Sequence, residues 1–259
     1  MVFGARPALD KSSSAANGAD SKTHTRWLVR APADEDTARL FCFPHAGAGA
    51  SVFSSWPIHL GGIGIYPLQF PGRENRLGEQ SAATYGQLAA GIAHALNPHL
   101  DRPFAFFGHC VGAWSAYETA IYLREAGMSR PRRLFASGQA APHNSDSDPM
   151  LKMSELELRE NLTTVLKSRG VEPRPDMIEL GFTVLWTDIE AVRMYQRTAP
   201  VELNCPISVL RWRDDADVDH EAFKEWNRYS NNVDMHELGG GKYEFIDLSE
   251  KLQTLLQTW

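Results

Sequence analysis

Pro103-Phe104-Ala105-Phe106-Phe107-Gly108-His109-Cys110-Val111-Gly112 decides the fold of this chain. The apolar run 103–107 reads as a buried strand, and the stretch from Ala113 to Ala120 reads as a helix. Between them stands Gly-x-Cys-x-Gly. A strand, a tight turn with a nucleophile at its centre and a helix make up a nucleophile elbow. Serine is usual at that centre; this chain has a thiol.

The same alternation extends on both sides of the elbow. Arg39–Phe43 reads as a strand, followed by the small-residue loop Pro44-His45-Ala46-Gly47-Ala48-Gly49-Ala50. A second strand is expected over 64–70, closed by Pro71-Gly72. Tyr85, Leu88, Ile92 and Leu96 recur at helical spacing across 84–97. After the elbow and its helix at 112–126 comes a strand at 133–138. The stretch 149–198 breaks the alternation with helical patterning and Pro173 and Pro175, and reads as an inserted helical lid. A strand at 206–212, a helix around 219–230, a strand near 233–238, a glycine turn at 239–241 and a helix at 244–257 follow. Repeated strand–helix units predict an α/β domain with a mostly parallel sheet covered on both faces.

The chain has 259 residues, enough for one such domain with a sizeable core. Hydrophobic residues make up 43% and charged residues 22%, the balance of an ordinary globular protein. A net charge of −6 without a long basic run argues against nucleic-acid binding. No apolar run is long enough to span a membrane. Cys42, Cys110 and Cys205 are too few and too scattered for a disulfide framework, which points to a reducing, cytoplasmic setting. Residues 1–24 lack an apolar signal core and read as a disordered tail before a domain over 25–259. No metal-ligand spacing occurs, and Gly239–Gly241 lacks the rest of a phosphate loop.

Several segments in order carry a family resemblance: Phe43-Pro44-His45-Ala46-Gly47, Phe70-Pro71-Gly72-Arg73-Glu74-Asn75-Arg76, Gly108–Ala113, Ser137-Gly138-Gln139-Ala140-Ala141-Pro142, Asp188 with Tyr195, and Cys205-Pro206-Ile207. From 27 to 257 the chain resembles the type II thioesterases of polyketide and nonribosomal peptide assembly lines. The resemblance implies an α/β-hydrolase fold with a helical lid over an acyl chamber. It implies acyl, aminoacyl or polyketide thioesters as substrates. These are carried on the phosphopantetheine arm of an acyl or peptidyl carrier protein, with no bound cofactor. It also implies a serine–histidine–aspartate triad.

The sequence departs from that triad twice. Cys110 replaces the serine. Leu238-Gly239-Gly240-Gly241-Lys242-Tyr243 stands where the family reads Gly-Gly-His-Phe, so Lys242 falls near the expected histidine. Asp215 matches the aspartate best, with Asp214 and Asp217 as competitors. A thiol needs less help than a hydroxyl to become nucleophilic, and a helix N-terminus is expected to favour its anion. Hydrolysis of an acyl-enzyme, by contrast, needs water activated by a base. His143, beyond the strand ending at Ser137, is the best substitute base by position. Lys242 could serve if burial lowered its pKa, and otherwise reads as a surface lysine. His109, His45, His220 and His236 are weaker alternatives. The backbone N–H groups of Ala46 and Val111 are expected to form the oxyanion hole. Trp114, Trp186 and Tyr195 are candidate substrate contacts, although aromatics at helical spacing usually pack. Arg73 with Glu74, Cys42 and Cys205 read as structural.

Loss of the histidine with gain of the thiol favours acyl transfer or cyclisation over hydrolysis. Three alternatives stand beside that reading: an editing hydrolase with a displaced base, a Dieckmann-type chain-releasing cyclase, and an inactive protein that binds a carrier or chain.

Overall fold

The computed structural model describes residues 26–259 except 169, 196–198 and 216–217. The expected tail over 1–24 and the competitor Asp217 lie outside the described residues.

Among the described residues, seven strands form one sheet: β1 Ala38–Phe43, β2 His59–Leu60, β3 Ile63–Pro67, β4 Phe104–His109, β5 Leu134–Ser137, β6 Ile207–Trp212 and β7 Val233–Leu238. Their order is β2-β3-β1-β4-β5-β6-β7. Every pair is parallel except β2 with β3, a short antiparallel edge. The α-helices are α1 Tyr85–Leu96, α2 Val111–Glu125, α3 Glu155–Ser168, α4 Pro175–Arg193, α5 His220–Lys224 and α6 Glu250–Leu255. This is the α/β-hydrolase arrangement that the family resemblance implied.

Alternation along the strands builds the two faces. Phe41, Phe43, Phe104 and Phe106 pack on one face with Ile92, Trp114 and Tyr117 of α1 and α2. Leu40, Cys42, Ala105 and Phe107 pack on the other with Phe53, Trp56, Phe245 and Leu252. Each buried phenylalanine contributes about 1.5–3 kcal/mol, so the central strands are anchored on both sides.

The interruption at 149–198 contains α3 and α4, inserted between β5 and β6. The expected helix at 219–230 is α5 followed by a 3-10 turn at Glu225–Arg228. The expected helix at 244–257 divides into a 3-10 turn at Lys242–Asp247 and α6. The break falls at Leu248, which adopts a left-handed φ of 47°. No helix among the described residues is long and apolar enough to cross a membrane. All three cysteines are free and buried.

Candidate active site

Cys110 stands where β4 gives way to α2. Its N–H donates to the Ser137 carbonyl at 2.8 Å, continuing the β4–β5 ladder by one rung. Its own carbonyl accepts the Ala113 N–H at 2.8 Å, already in the helical direction. The chain makes that turn by placing Cys110 at φ 52°, a conformation that costs a non-glycine residue of order 1–3 kcal/mol. The flanking glycines are steric requirements. A Cβ on Gly108 would lie 2.3 Å from the Gly112 carbonyl oxygen, and one on Gly112 would lie 2.5 Å from that of Phe43.

The parallel strands bring their carboxyl-end loops together around this turn. The loop after β6 is tied to the one after β7: Arg213 N–H donates to Leu238 and Asp214 N–H to Gly240. Gly240, at φ 88°, makes the turn into the 3-10 segment that starts at Lys242. Phe245 anchors that segment by stacking on the His109 ring, with centroids 3.9 Å apart. Lys242 is thereby brought within electrostatic range of the Cys110 sulfur, as is Asp215. Asp214 is exposed. Asp215 is therefore the described aspartate of this loop that acts on the nucleophile.

Burial dominates the thiol. Cys110 is 3% exposed, and loss of solvent pushes its pKa above the ordinary thiol value. Lys242 is the largest opposing influence, followed by the Val111 N–H aimed at the sulfur; the carboxylates of Asp148 and Asp215 act upward. The helix N-terminus does favour the anion, through the Val111 N–H, but burial outweighs it. Lys242 is the chief favourable charge on the thiolate.

The histidines considered as substitute bases are held as follows. His143 lies on the 3-10 turn Pro142–Ser147. Its Nδ1 lies 2.8 Å from the Tyr229 hydroxyl and its Nε2 3.2 Å from Glu225. These are its hydrogen-bonding and ionic partners, with Arg228 at 3.2 Å, and Cys110 is not among them. His236 is committed to Asp234 on the edge strand at 2.5 Å. His109 is fully buried, with Nδ1 3.0 Å from the Ser137 hydroxyl, which also accepts the Trp212 indole N–H at 3.0 Å. Burial, with His45 and Lys242 nearby, pushes the His109 pKa well down, so the ring is a neutral packing element. His45 places its Nδ1 2.8 Å from the Ala46 carbonyl and its ring against Tyr243.

Ala46 and Val111 occupy the two positions expected of an oxyanion hole. The loop bearing Ala46 is held by the lid: Asp188 of α4 accepts the Gly47 N–H at 2.8 Å. The same carboxylate takes both arms of the Arg73 guanidinium, at 2.9 and 2.6 Å, while Arg73 also donates to the Ala48 carbonyl. Arg73, expected to be structural, thus joins lid, turn and oxyanion loop. Glu74, its neighbour, accepts from the Ser51 hydroxyl instead.

A cleft of about 450 Å³, counting its solvent-filled mouth, runs past His45, Arg73, Tyr85, Val111 and Asp188. A second space, on the Trp114 side, is lined by Gln139, Asn144 and Asp148. Trp114 and Tyr195 form an aromatic cluster with Tyr85, with Tyr195 centred 4.5 Å from Tyr85 and 5.7 Å from Trp114. Trp186 packs on Phe182 and under Arg193, within the lid helix itself. Tyr85 and Asp148 are the residues that the sequence reading missed. Tyr85 read as one apolar position of a helix, and Asp148 as part of a polar loop.

Known proteins bear on this geometry. A family model described as the thioesterase domain matches residues 38–258. The linear gramicidin dehydrogenase LgrE of Brevibacillus parabrevis is 30% identical, over 92% of this chain and 94% of its own. The medium-chain S-acyl fatty acid synthase thioesterase of Homo sapiens is 30% identical, over 84% of this chain and 85% of its own. The solved structure of RedJ, a thioesterase from the prodiginine biosynthetic pathway in Streptomyces coelicolor, matches with a TM-score of 0.74. Its sequence is 33% identical, and the match covers 88% of this chain and 94% of RedJ.

Proposed function

The chain belongs to the thioesterase family, and from that premise we propose that it takes an acyl group from a carrier-protein thioester onto Cys110 and passes it to an acceptor other than water. The observation that carries this reading is the charge environment of the nucleophile. Lys242, and not a histidine, is the largest favourable influence on the buried thiol.

In the first step the Cys110 sulfur attacks the carbonyl carbon of the phosphopantetheine thioester. The carbonyl oxygen becomes an oxyanion held by the Ala46 and Val111 N–H groups. The intermediate collapses with cleavage of the old carbon–sulfur bond. The proton that leaves Cys110 ends on the departing pantetheine thiol. One thioester replaces another, so the step is nearly isoenergetic and reversible. Lys242 assists by stabilising the thiolate, and it does so in both directions.

Breakdown by water is different. It requires a base to remove a proton from a weak nucleophile. A second thiol or an amine carries its own nucleophilicity and makes smaller demands on the site. The assembly-line setting rests on RedJ, a relative from a biosynthetic pathway. Cyclisation onto a carbon within the chain is the same reaction with an internal acceptor. Ordinary hydrolysis is the second reading, favoured by the likeness to the human fatty acid synthase thioesterase.

Incubation with an acyl-loaded carrier protein, followed by intact mass, tests the proposal. A mass gain of one acyl group is expected on the native chain and is absent from Cys110→Ala. Rapid release of free acid with no adduct overturns it.

A further inference from the structure

Three carboxylates are buried among the described residues: Asp36, Glu118 and Asp148. Two are answered within the protein. Asp36 lies 3.5 Å from the Arg39 guanidinium and 3.0 Å from His59. Glu118 accepts the Tyr195 hydroxyl at 2.7 Å. Asp148 differs. It is 7% exposed, and its hydrogen bonds come from two neutral groups, the Met150 N–H at 3.0 Å and the Gln139 amide at 3.1 Å. It has no cationic partner among the described residues.

Asp148 also lines a cavity. The space encloses about 510 Å³ with its mouth, between Trp114, Gln139, Asn144, Val218 and Asp219. No lysine, arginine or histidine lines it among the described residues, and Asp219 adds a second carboxylate where the wall meets solvent. The indole N–H of Trp114 is already given to the Ala140 carbonyl at 2.9 Å. The wall therefore offers an apolar face, a neutral amide and acceptors of negative charge. Cys110 lies within electrostatic range of Asp148.

We propose that this cavity receives the acyl chain and that Asp148 pairs with an ammonium group on it, which makes aminoacyl thioesters the preferred donors. The inference rests on the reading of Cys110 as an acyl acceptor and names the substrate class for that site. A buried carboxylate facing a cavity without a counter-charge is costly, and a cationic ligand offsets the cost. A neutral acyl chain leaves Asp148 uncompensated and covers it from water as well. The same pairing helps the chemistry. Asp148 disfavours the Cys110 thiolate, and a bound ammonium cancels that influence as the donor arrives.

The test compares alanyl- and propionyl-pantetheine thioesters as donors to the full-length protein. Each rate of Cys110 acylation, read by intact mass, is divided by the rate of the same donor with free N-acetylcysteine. That division removes the greater intrinsic reactivity of the aminoacyl ester. The alanyl donor is expected to be favoured by about tenfold or more, the scale of one charge-assisted hydrogen bond. Asp148→Asn is expected to bring the ratio back toward one. A lactyl donor, in which a hydroxyl replaces the ammonium at nearly the same size but without the charge, is expected to lose the advantage. A normalised ratio near one in the native protein overturns the inference and leaves acyl transfer standing. If Asp148→Asn does not fold, the native ratios with the three donors still decide. If neither donor acylates Cys110, both proposals fall together.

Discussion

Replacing Lys242 by methionine removes the largest charge that favours the Cys110 thiolate while keeping a side chain of similar length. An opposite charge at close range moves a pKa by about 1–3 units. Burial outweighs Lys242 at this thiol, and the Val111 N–H remains after the substitution, so the lower end, about one unit, is appropriate. Below the thiol pKa each unit is a tenfold loss of thiolate, equal to about 1.4 kcal/mol. Alkylation by iodoacetamide, resolved by peptide mass spectrometry across pH, reads this directly. The other two cysteines are internal controls, because burial pushes the Cys42 pKa well up and that of Cys205 to about 12. The Cys110 profile is expected to move to higher pH by about one unit in Lys242→Met and to return in Lys242→Arg. Native and Lys242→Met profiles that superimpose refute the assignment of Lys242 to the nucleophile.

Three further outcomes follow from other contacts. Asp188→Asn breaks the pair that joins lid to oxyanion loop and leaves Arg73, with its side chain 6% exposed, short of its counter-charge. A loss of about 3 kcal/mol is expected, seen as a melting temperature lowered by roughly 6–12 °C, together with slower acylation of Cys110. Gly112→Ala forces a Cβ to within 2.5 Å of the Phe43 carbonyl oxygen; insoluble protein, or stability lower by about 4 kcal/mol, is expected by urea titration. Asp234 carries a pH signature. Burial raises its pKa, but hydrogen bonds from Ser208, His236 and Arg133 together outweigh burial and hold it below 3.8. Its folded pKa is therefore lower than its unfolded one, so its contribution to stability is complete above about pH 4 and lost as pH falls further. Asp234→Asn should flatten the acid limb of a stability–pH curve below pH 4.

Much of this structure is legible in the sequence because its central elements are strongly patterned. The strand before Gly108 and the helix after Gly112 could be read directly, since a turn that tight demands glycine on both sides of the nucleophile. The two-residue edge strand at His59–Leu60 was not legible, because a pair of residues has no period. Position at a strand end does not tell where a side chain points. His143 does follow a strand end, but the 3-10 turn beginning at Pro142 and the Tyr229 hydroxyl, 86 residues away in sequence, decide where its ring goes. The acidity of Cys110 was legible only in part for a related reason. The local sequence supplies the helix N-terminus, whereas the residues that enclose the thiol and act on its charge come from distant loops. Lys242 looked like a surface lysine for want of one fact, that Phe245 stacks on His109 and fixes the loop beside the elbow. Asp148 gave no signal at all, since a carboxylate in a Ser/Asp-rich loop normally faces water.

The partition of the acyl-enzyme is the most direct measurement of whether Cys110 transfers or hydrolyses. Cys110 is first acylated and excess donor removed. Loss of the adduct is then followed by intact mass in buffer alone and with a pantetheine thiol added. A long-lived adduct in buffer is expected, discharged rapidly by the thiol with the acyl group recovered as a new thioester. An adduct that disappears into free acid at the same rate with and without thiol contradicts acyl transfer and makes the protein a hydrolase.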